Sequence, residues 1–217
     1  EPTLSIALVT MVLAVSLSVP LGTLAAYQAG RVVDRVVMVF AVLAFSAPVF
    51  LIGYLLIYGL AIQLGWFPVQ GYVHLAEGVG PWLRSIALPC INLALLYMAL
   101  LTRMTRATVL EVLQEDYIRT ARAKGLAVPA VLLHALRNAA VPIATTVGVG
   151  LALLLGGVVV TETVFAIPGV GRLVIDSVQR HDYPVIQSVL LVSAGVYVLI
   201  NLLIDLSYGL LDPRIRY

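Results

Sequence analysis

The chain has little charge, a single lysine and a single cysteine. Charged residues make up 11% of its 217 residues, whereas soluble domains carry about 25%. Hydrophobic residues make up 61%, and the mean hydropathy is +1.05. This composition excludes a soluble globular domain and predicts an integral membrane protein. Because Cys90 stands alone in an apolar run, it cannot form a disulfide within the chain and has no neighbouring metal ligands.

Several catalytic motifs are absent as well. The sequence has no G-x-x-x-x-G-K-[ST] phosphate loop, and its lysine, Lys124, is followed by glycine. It also has no H-E-x-x-H and no G-x-S-x-G motif. The three histidines, His74, His134 and His181, lie far apart in the sequence. We therefore predict no catalytic residues, no metal site, and no ATP hydrolysis by this chain itself.

Long apolar runs predict the membrane topology. Each run is close to the ~20 residues that a helix needs to cross a bilayer, and the runs are continuous rather than alternating. They predict five transmembrane helices, at roughly 3–27, 36–62, 85–110, 139–161 and 185–209.

The basic residues predict the orientation, because cytoplasmic loops are enriched in Lys and Arg. One set of loops holds ten of them: Arg31, Arg35, Arg103, Arg106, Arg119, Arg122, Lys124, Arg137, Arg214 and Arg216. The opposite set holds Arg84, Arg172 and Arg180. We therefore expect the N-terminus outside and the C-terminus in the cytoplasm. Because the chain starts at Glu1 rather than Met, we also expect an upstream helix to precede it.

The interval 103–138 is predicted to be a long cytoplasmic loop that contains two short helices. Asp116 is a suitable N-cap for the first helix, and Gly125 is a suitable residue just past its end. Pro129 is a suitable first residue for the second helix. The expected shape is a helix–glycine–helix elbow at the membrane surface.

Small residues recur at every fourth position of the fourth predicted span: Ala140, Ala144, Gly148, Ala152 and Gly156. Such a ridge allows close helix packing in a bilayer, either against a second subunit or within this chain. The segment that follows this span, 161–184, is rich in turns and polar groups. It forms either an outer gate of the transport pathway or an ordinary loop between two spans. The gate candidates are Glu162, Pro168, Gly169 and Gly171.

Asp205 is an ionisable residue near the inner end of the last predicted span. A buried acid in a membrane is a candidate for a substrate or proton role. Alternatively, Asp205 could reach the interface or pair with Arg103 or Arg106.

Several motifs resemble a known family. The runs Arg119-Thr-Ala-Arg-Ala-Lys-Gly125 and His134-Ala-Leu-Arg-Asn-Ala-Ala-Val-Pro142 resemble the cytoplasmic EAA loop of bacterial ABC-importer permeases. Starting from Tyr117, the first run resembles more specifically the dipeptide, oligopeptide and nickel permease group. Three later motifs match that group in order: Glu162-Thr-Val-Phe-Ala-Ile-Pro-Gly-Val-Gly-Arg-Leu173, His181-Asp-Tyr-Pro184 and Asp212-Pro-Arg214.

The resemblance implies an all-α membrane protein with the five-helix core of a type I ABC importer permease. One transmembrane domain would cover 1–217, with a coupling loop at 103–138 that docks on an ATPase. The implied coupling residues are Asp116, Tyr117, Arg119, Thr120, Ala121, Arg122, Ala123, Lys124, Gly125 and Leu126. Arg119 replaces the glutamate that names the loop, so no particular salt bridge is assumed there. Anchoring to lipid headgroups is the alternative explanation for the basic residues.

The implied function is that of a permease subunit in an ATP-driven importer of the bacterial inner membrane. Its solute would be a short peptide, or a related solute such as haem, a nickel chelate or glutathione. Its partners would be a second homologous permease, two cytoplasmic ATPase domains, an extracytoplasmic solute-binding protein and membrane lipid, but no nucleic acid. This chain would bind no cofactor, and ATP with Mg²⁺ would bind to the ATPase partners.

Two alternative functions stay open. An ion-coupled secondary transporter predicts buried carboxylates near the bilayer midplane and broken helices in paired repeats. A non-transporting membrane scaffold would share the docking loop without coupling ATP hydrolysis to a solute.

Overall fold

A computed structural model of the chain describes residues 1–211, apart from the side chains of residues 152, 155, 204, 205 and 207–211. Four of its helices contain stretches long and apolar enough to cross a bilayer: α1 (Pro2–Tyr27), α4 (Val79–Val112), α6 (Val128–Val164) and α8 (Tyr183–Leu211). Continuous apolar sequence makes each of them helical, because a helix satisfies its own backbone hydrogen bonds within lipid. Four of the five predicted spans thus correspond to single long helices.

The second predicted span, 36–62, is not a single straight helix. Helix α2 (Val32–Ser46) is followed by α3 (Val49–Leu56) and a π-helical segment (Ile57–Gln63), and the two parts meet at a bend of 101°. Pro48 causes the break, because it has no N–H to donate and it drives Ala47 into extended backbone. Helix α2 and the α3 segment form a fifth transmembrane span only if the two together cross the bilayer.

Helix α4 lies at the centre of the bundle, and α1 packs along it. The buried residues of α1 include four small ones that lie four positions apart: Ala14, Ser18, Gly22 and Ala26. A Cβ on Gly22 would lie 2.7 Å from Thr105 Cβ and 2.8 Å from the Thr102 carbonyl oxygen. The two backbones therefore approach closely, as small residues permit in a membrane.

The interval 103–138 is more helical than the sequence predicts. Helix α4 continues to Val112 and α6 begins at Val128, so a single short helix, α5 (Asp116–Ala123), lies between them. The expected second short helix is the first part of α6. Two expected capping positions are also wrong by one residue: the N-cap of α5 is Glu115 rather than Asp116, and Pro129 is the second residue of α6.

The two ends of the bundle differ in structure. At the end that holds α5, Ala26 of α1 joins an apolar cluster with residues of α4, α5 and α6. At the opposite end, α7 (Val170–Gln179) connects α6 to α8. Helix α8 contacts α6 and α7 but leaves large apolar side chains such as Leu191 exposed, which suits contact with lipid or with another subunit. The orientation of the two ends in a membrane stays a prediction.

Candidate functional site: the α5 elbow

Helix α5 is fixed to the bundle by one apolar side chain. Ile118 is 0% exposed and is the only buried residue of this helix. It lies in an apolar cluster with Val109 of α4, Leu113 just past the end of α4, Ala26 of α1, and residues of α6. An isolated helix of eight residues is marginal in water, so its position depends on this contact. The implied coupling set omitted Ile118, although it is the one branched aliphatic residue in the polar run 116–125.

A second contact ties α5 to α6. The Asn138 side-chain amide donates a hydrogen bond of 2.6 Å to the Tyr117 hydroxyl. Within α5, Arg119 donates to the Asp116 carboxylate at 3.2 Å, and both side chains are largely exposed. An exposed pair of this kind contributes less than about 1 kcal/mol and leaves Arg119 able to exchange partners.

The helix ends in a tight turn at Gly125. The Gly125 N–H donates to the Arg122 carbonyl at 3.0 Å, and the Leu126 N–H donates to the Ala121 carbonyl at 3.2 Å. Gly125 has a φ of +80°, which is left-handed backbone that glycine adopts at low cost. The prediction that Gly125 follows the helix end is therefore confirmed. A Cβ at this position would meet nothing within 4 Å, so the turn is open to solvent.

The other implied coupling residues form an exposed surface around this turn. Thr120, Arg122, Ala123, Lys124 and Leu126 are exposed, and Ala121 is half-buried. We call α5 together with residues 124–127 the elbow. Its inner face is anchored to the bundle, and its outer face carries basic and small residues, which suits contact with another protein. The predicted docking of the elbow on an ATPase stays a prediction.

An ion pair that the sequence analysis missed lies near the same end. Arg106 of α4 donates two hydrogen bonds to the Asp34 carboxylate of α2, at 2.5 Å and 2.7 Å. The Gly30 N–H donates a third at 2.8 Å, and Asp34 is only 4% exposed. Arg106 is therefore already paired within the chain. The side chain of Asp205, the other suggested partner of Arg106, lies outside the described residues.

The residues of the predicted small-residue ridge on α6 differ in their exposure. Gly148 is buried, Ala144 is half-buried, and Gly156 is exposed with nothing within 4 Å of a Cβ. The side chain of Ala152 lies outside the described residues. The closer approach of α6 to α4 is at Gly157, where a Cβ would lie 3.1 Å from Leu93. Contact of this ridge with a second subunit stays a prediction.

The four outer-gate candidates do come together. Glu162 is fully buried in the last turn of α6, and it is contacted closely by Gly169, the N-cap of α7, and by Gly171 of α7. Pro168 is exposed at the tip of this turn. A further partner, Thr3 of α1, donates to the Glu162 carboxylate at 2.6 Å and was missed, because it lies 159 positions away in the sequence.

A second polar group lies at this end. The Glu1 carboxylate is 3.0 Å from the Nδ1 atom of His74, and it accepts hydrogen bonds from the Leu75 N–H at 3.0 Å and the Tyr72 hydroxyl at 3.1 Å. The hydrogen bond with His74, followed by that with Leu75, lowers the pKa of Glu1 to about 2. This carboxylate therefore stays charged at any physiological pH.

Comparison with known proteins identifies the family. Residues 18–217 match the family described as the binding-protein-dependent transport system inner membrane component. The chain belongs to this family. It is accordingly a multi-pass component of the inner membrane and of a transport system.

Several named relatives match along nearly the whole chain. A probable peptide ABC transporter permease protein, y4tP, of Sinorhizobium fredii is 53% identical over 100% of this chain and 70% of its own length. A di/tripeptide transport system permease protein, DppB, of Pseudomonas aeruginosa is 40% identical over 99% of this chain and 70% of its own length. The dipeptide transport system permease protein DppB of Escherichia coli K12 is 39% identical over 100% of this chain and 71% of its own length.

The fold also matches a solved structure. A chain in an inward-facing structure of the MetNI methionine ABC transporter superposes with a TM-score of 0.77, over 97% of this chain and 93% of that one. The sequence identity is 18%, so this similarity concerns the fold alone. The expected helical permease core is thereby confirmed.

Proposed function

We propose that this chain is the permease subunit of an ATP-driven importer that carries short peptides across the bacterial inner membrane. Three of its relatives, at 39% to 53% identity, are named as peptide, dipeptide or di/tripeptide permeases. It would work with a second homologous permease, two cytoplasmic ATPase domains and an extracytoplasmic solute-binding protein. ATP and Mg²⁺ would bind to the ATPase partners, because this sequence has no phosphate loop.

The single observation that carries the coupling mechanism is the construction of the elbow. Its outer surface is free to bind a partner, while Ile118 is buried among residues of α1, α4 and α6. A force applied to α5 therefore reaches three long helices through one packed contact. ATP binding would close the ATPase dimer and move the elbow, which would shift the permease between inward and outward access.

The ion-coupled alternative gains little support from the buried acids of residues 1–203. Glu162 lies in the last turn of α6 and Asp34 in the first turn of α2, so both are at helix ends rather than near a midplane. Asp34 is paired with Arg106, and Glu162 accepts hydrogen bonds from Thr3 and from the backbone of α7. These contacts favour a structural role for both carboxylates.

The coupling role can be tested by bulky substitution at Gly125. Gly125→Leu adds a side chain where nothing inside the chain would clash, so its effects come from the left-handed backbone or from a docked partner. Gly30→Leu is a matched control, because Gly30 has a φ of +78° and also has nothing within 4 Å of a Cβ. Both substitutions cost about 1–2 kcal/mol of backbone strain.

The full-length protein is co-expressed with its ATPase partners and reconstituted in vesicles, and uptake of a labelled dipeptide and ATP hydrolysis are measured. We expect Gly125→Leu to lower uptake per ATP at least tenfold and Gly30→Leu to leave it within twofold. Equal effects of the two variants would assign the defect to backbone strain and would contradict docking at the elbow. Assembly without any solute-stimulated ATPase activity in the wild type would instead support the scaffold alternative.

A further inference from the structure

The Glu162 carboxylate joins three helices at the end of the bundle opposite the elbow. Its Oε1 atom accepts a hydrogen bond from the Thr3 hydroxyl of α1 at 2.6 Å. Its Oε2 atom accepts one from the Arg172 N–H of α7 at 3.0 Å. The Thr3 oxygen in turn accepts from the Val170 N–H at 2.9 Å. Helix α6 supplies the carboxylate, so α1, α6 and α7 are linked by one continuous set of hydrogen bonds.

This arrangement supplies α7 with the cap that its own sequence lacks. The N-cap of α7 is Gly169, which has no side chain, so the first N–H groups of the helix need acceptors from elsewhere. Glu162 and Thr3 provide acceptors to Arg172 and Val170. A carboxylate at a helix N-terminus is also favoured by the helix dipole. The buried carboxyl group of Glu162 thus has hydrogen-bond partners on both α1 and α7.

The start of α7 packs closely around the same carboxylate. A Cβ on Gly169 would overlap the carboxylate of Glu162. A Cβ on Gly171 would lie 2.6 Å from Val159 Cα and 2.9 Å from Glu162 Oε2. Both glycines are therefore required for the close approach of α7 to the end of α6.

Apolar packing holds α7 only weakly. Among its ten residues, only Gly171 and Ser177 are buried, and neither has a large side chain. A segment with few buried apolar contacts has low local stability. The hydrogen bonds to Glu162 and Thr3, together with the close approach of Gly171 to Val159, therefore hold its N-terminal half.

We propose that Glu162 is a positioning residue that latches α7 across this end of the permease, and that α7 moves away as a unit when the Thr3–Glu162 bridge breaks. The latch makes α7 a lid over the ends of α1 and α6. It concerns this chain alone and does not depend on the solute or on the ATPase partners.

The test measures access to the buried face of α7. Ser177→Cys places a thiol under the helix, in a Cys90→Ser background of the full-length protein in isolated membranes that are accessible from both faces. Its rate of maleimide labelling is compared with and without the latch. We expect Glu162→Gln and Thr3→Val each to raise the rate at least tenfold. The labelling rate of the variant that carries both substitutions should be less than twofold higher than that of the faster single variant, because both substitutions break the same Thr3–Glu162 hydrogen bond.

Two controls make the result specific. Glu77→Gln changes an exposed acid that caps another short helix, and it should leave the labelling rate of Ser177→Cys unchanged. Ser85→Cys, at a buried position in the first turns of α4, should label slowly in all variants. Unchanged labelling of Ser177→Cys in Thr3→Val, or in a folded Glu162→Gln variant, would overturn the latch. An equal rise in labelling at Ser85→Cys would also overturn it, because that result indicates general unfolding.

Discussion

Removing the anchor of the elbow should separate ATP hydrolysis from transport. The Ile118 side chain is fully buried, and truncation of such a residue to alanine costs about 2–5 kcal/mol. Even about 2 kcal/mol raises the ratio of detached to docked α5 roughly 30-fold, because every 1.4 kcal/mol is a factor of ten in an equilibrium constant. Ile118→Val should cost about 0.5–1.5 kcal/mol and give an intermediate effect. Val36→Ala, which shortens an exposed side chain of α2, is the control.

Two measurements on the reconstituted transporter check this prediction. Hydrogen exchange of the α5 amides reports detachment of the helix, and labelled dipeptide uptake per ATP hydrolysed reports coupling. We expect α5 to exchange faster and uptake per ATP to fall in both Ile118 variants, with a larger effect in Ile118→Ala than in Ile118→Val. Neither quantity should change in Val36→Ala. If α5 exchanges faster in Ile118→Ala while uptake per ATP is unchanged, the elbow does not transmit the movement and the reasoning is refuted.

Three further predictions concern packing and assembly. Arg106→Leu should destabilise the chain by about 3 kcal/mol, because it leaves the buried Asp34 carboxylate without its cation, and adding Asp34→Leu should restore most of the loss. Gly22→Val should lower the thermal unfolding temperature in detergent, because its Cβ would overlap Thr105 and the backbone of α4. Gly156→Val should leave that temperature unchanged but weaken co-purification of a second permease, if the α6 ridge contacts one.

Each of these predictions has an outcome that contradicts it. A double variant as unstable as Arg106→Leu alone would show that Asp34 does not depend on that arginine. An unfolding temperature for Gly22→Val equal to that of Gly80→Val, whose position is open, would argue against close packing of α1 on α4. If the second permease co-purifies normally with Gly156→Val, Gly156 does not lie in the subunit interface.

The sequence predicts the elbow well because polarity is informative there. In an apolar chain, a polar run that ends in glycine has few possible structures, and Gly125 adopts the expected left-handed turn. The anchor was missed because one isoleucine in a polar run gives no periodic pattern. Its burial depends on residues of α1, α4 and α6, which the order of the sequence does not bring together.

Within the membrane helices the sequence is less informative. Both the buried and the lipid-facing sides of such helices are apolar, so periodicity does not reveal which side packs. The sequence shows a ridge of small residues on α6, but close approaches to α4 are made by Gly22 of α1 and Gly157 of α6, and neither glycine belongs to that ridge. Similarly, Glu162 was noticed as a polar residue, but its partner Thr3 could not be identified from spacing. Pro48 accounts for a break, but the sequence does not reveal the bend of 101° or the contacts of α3 with α4 and α6.

The central claim is that a partner ATPase holds the elbow, and site-specific photo-crosslinking tests it most directly. A photoreactive amino acid is placed at Lys124, which is exposed in the elbow, and in a separate variant at Glu77, which is exposed at the opposite end. In the assembled transporter, the probe at position 124 should capture an ATPase subunit, and the probe at position 77 should not. Capture of lipid alone at position 124, in particles that retain their ATPase subunits, would contradict the account.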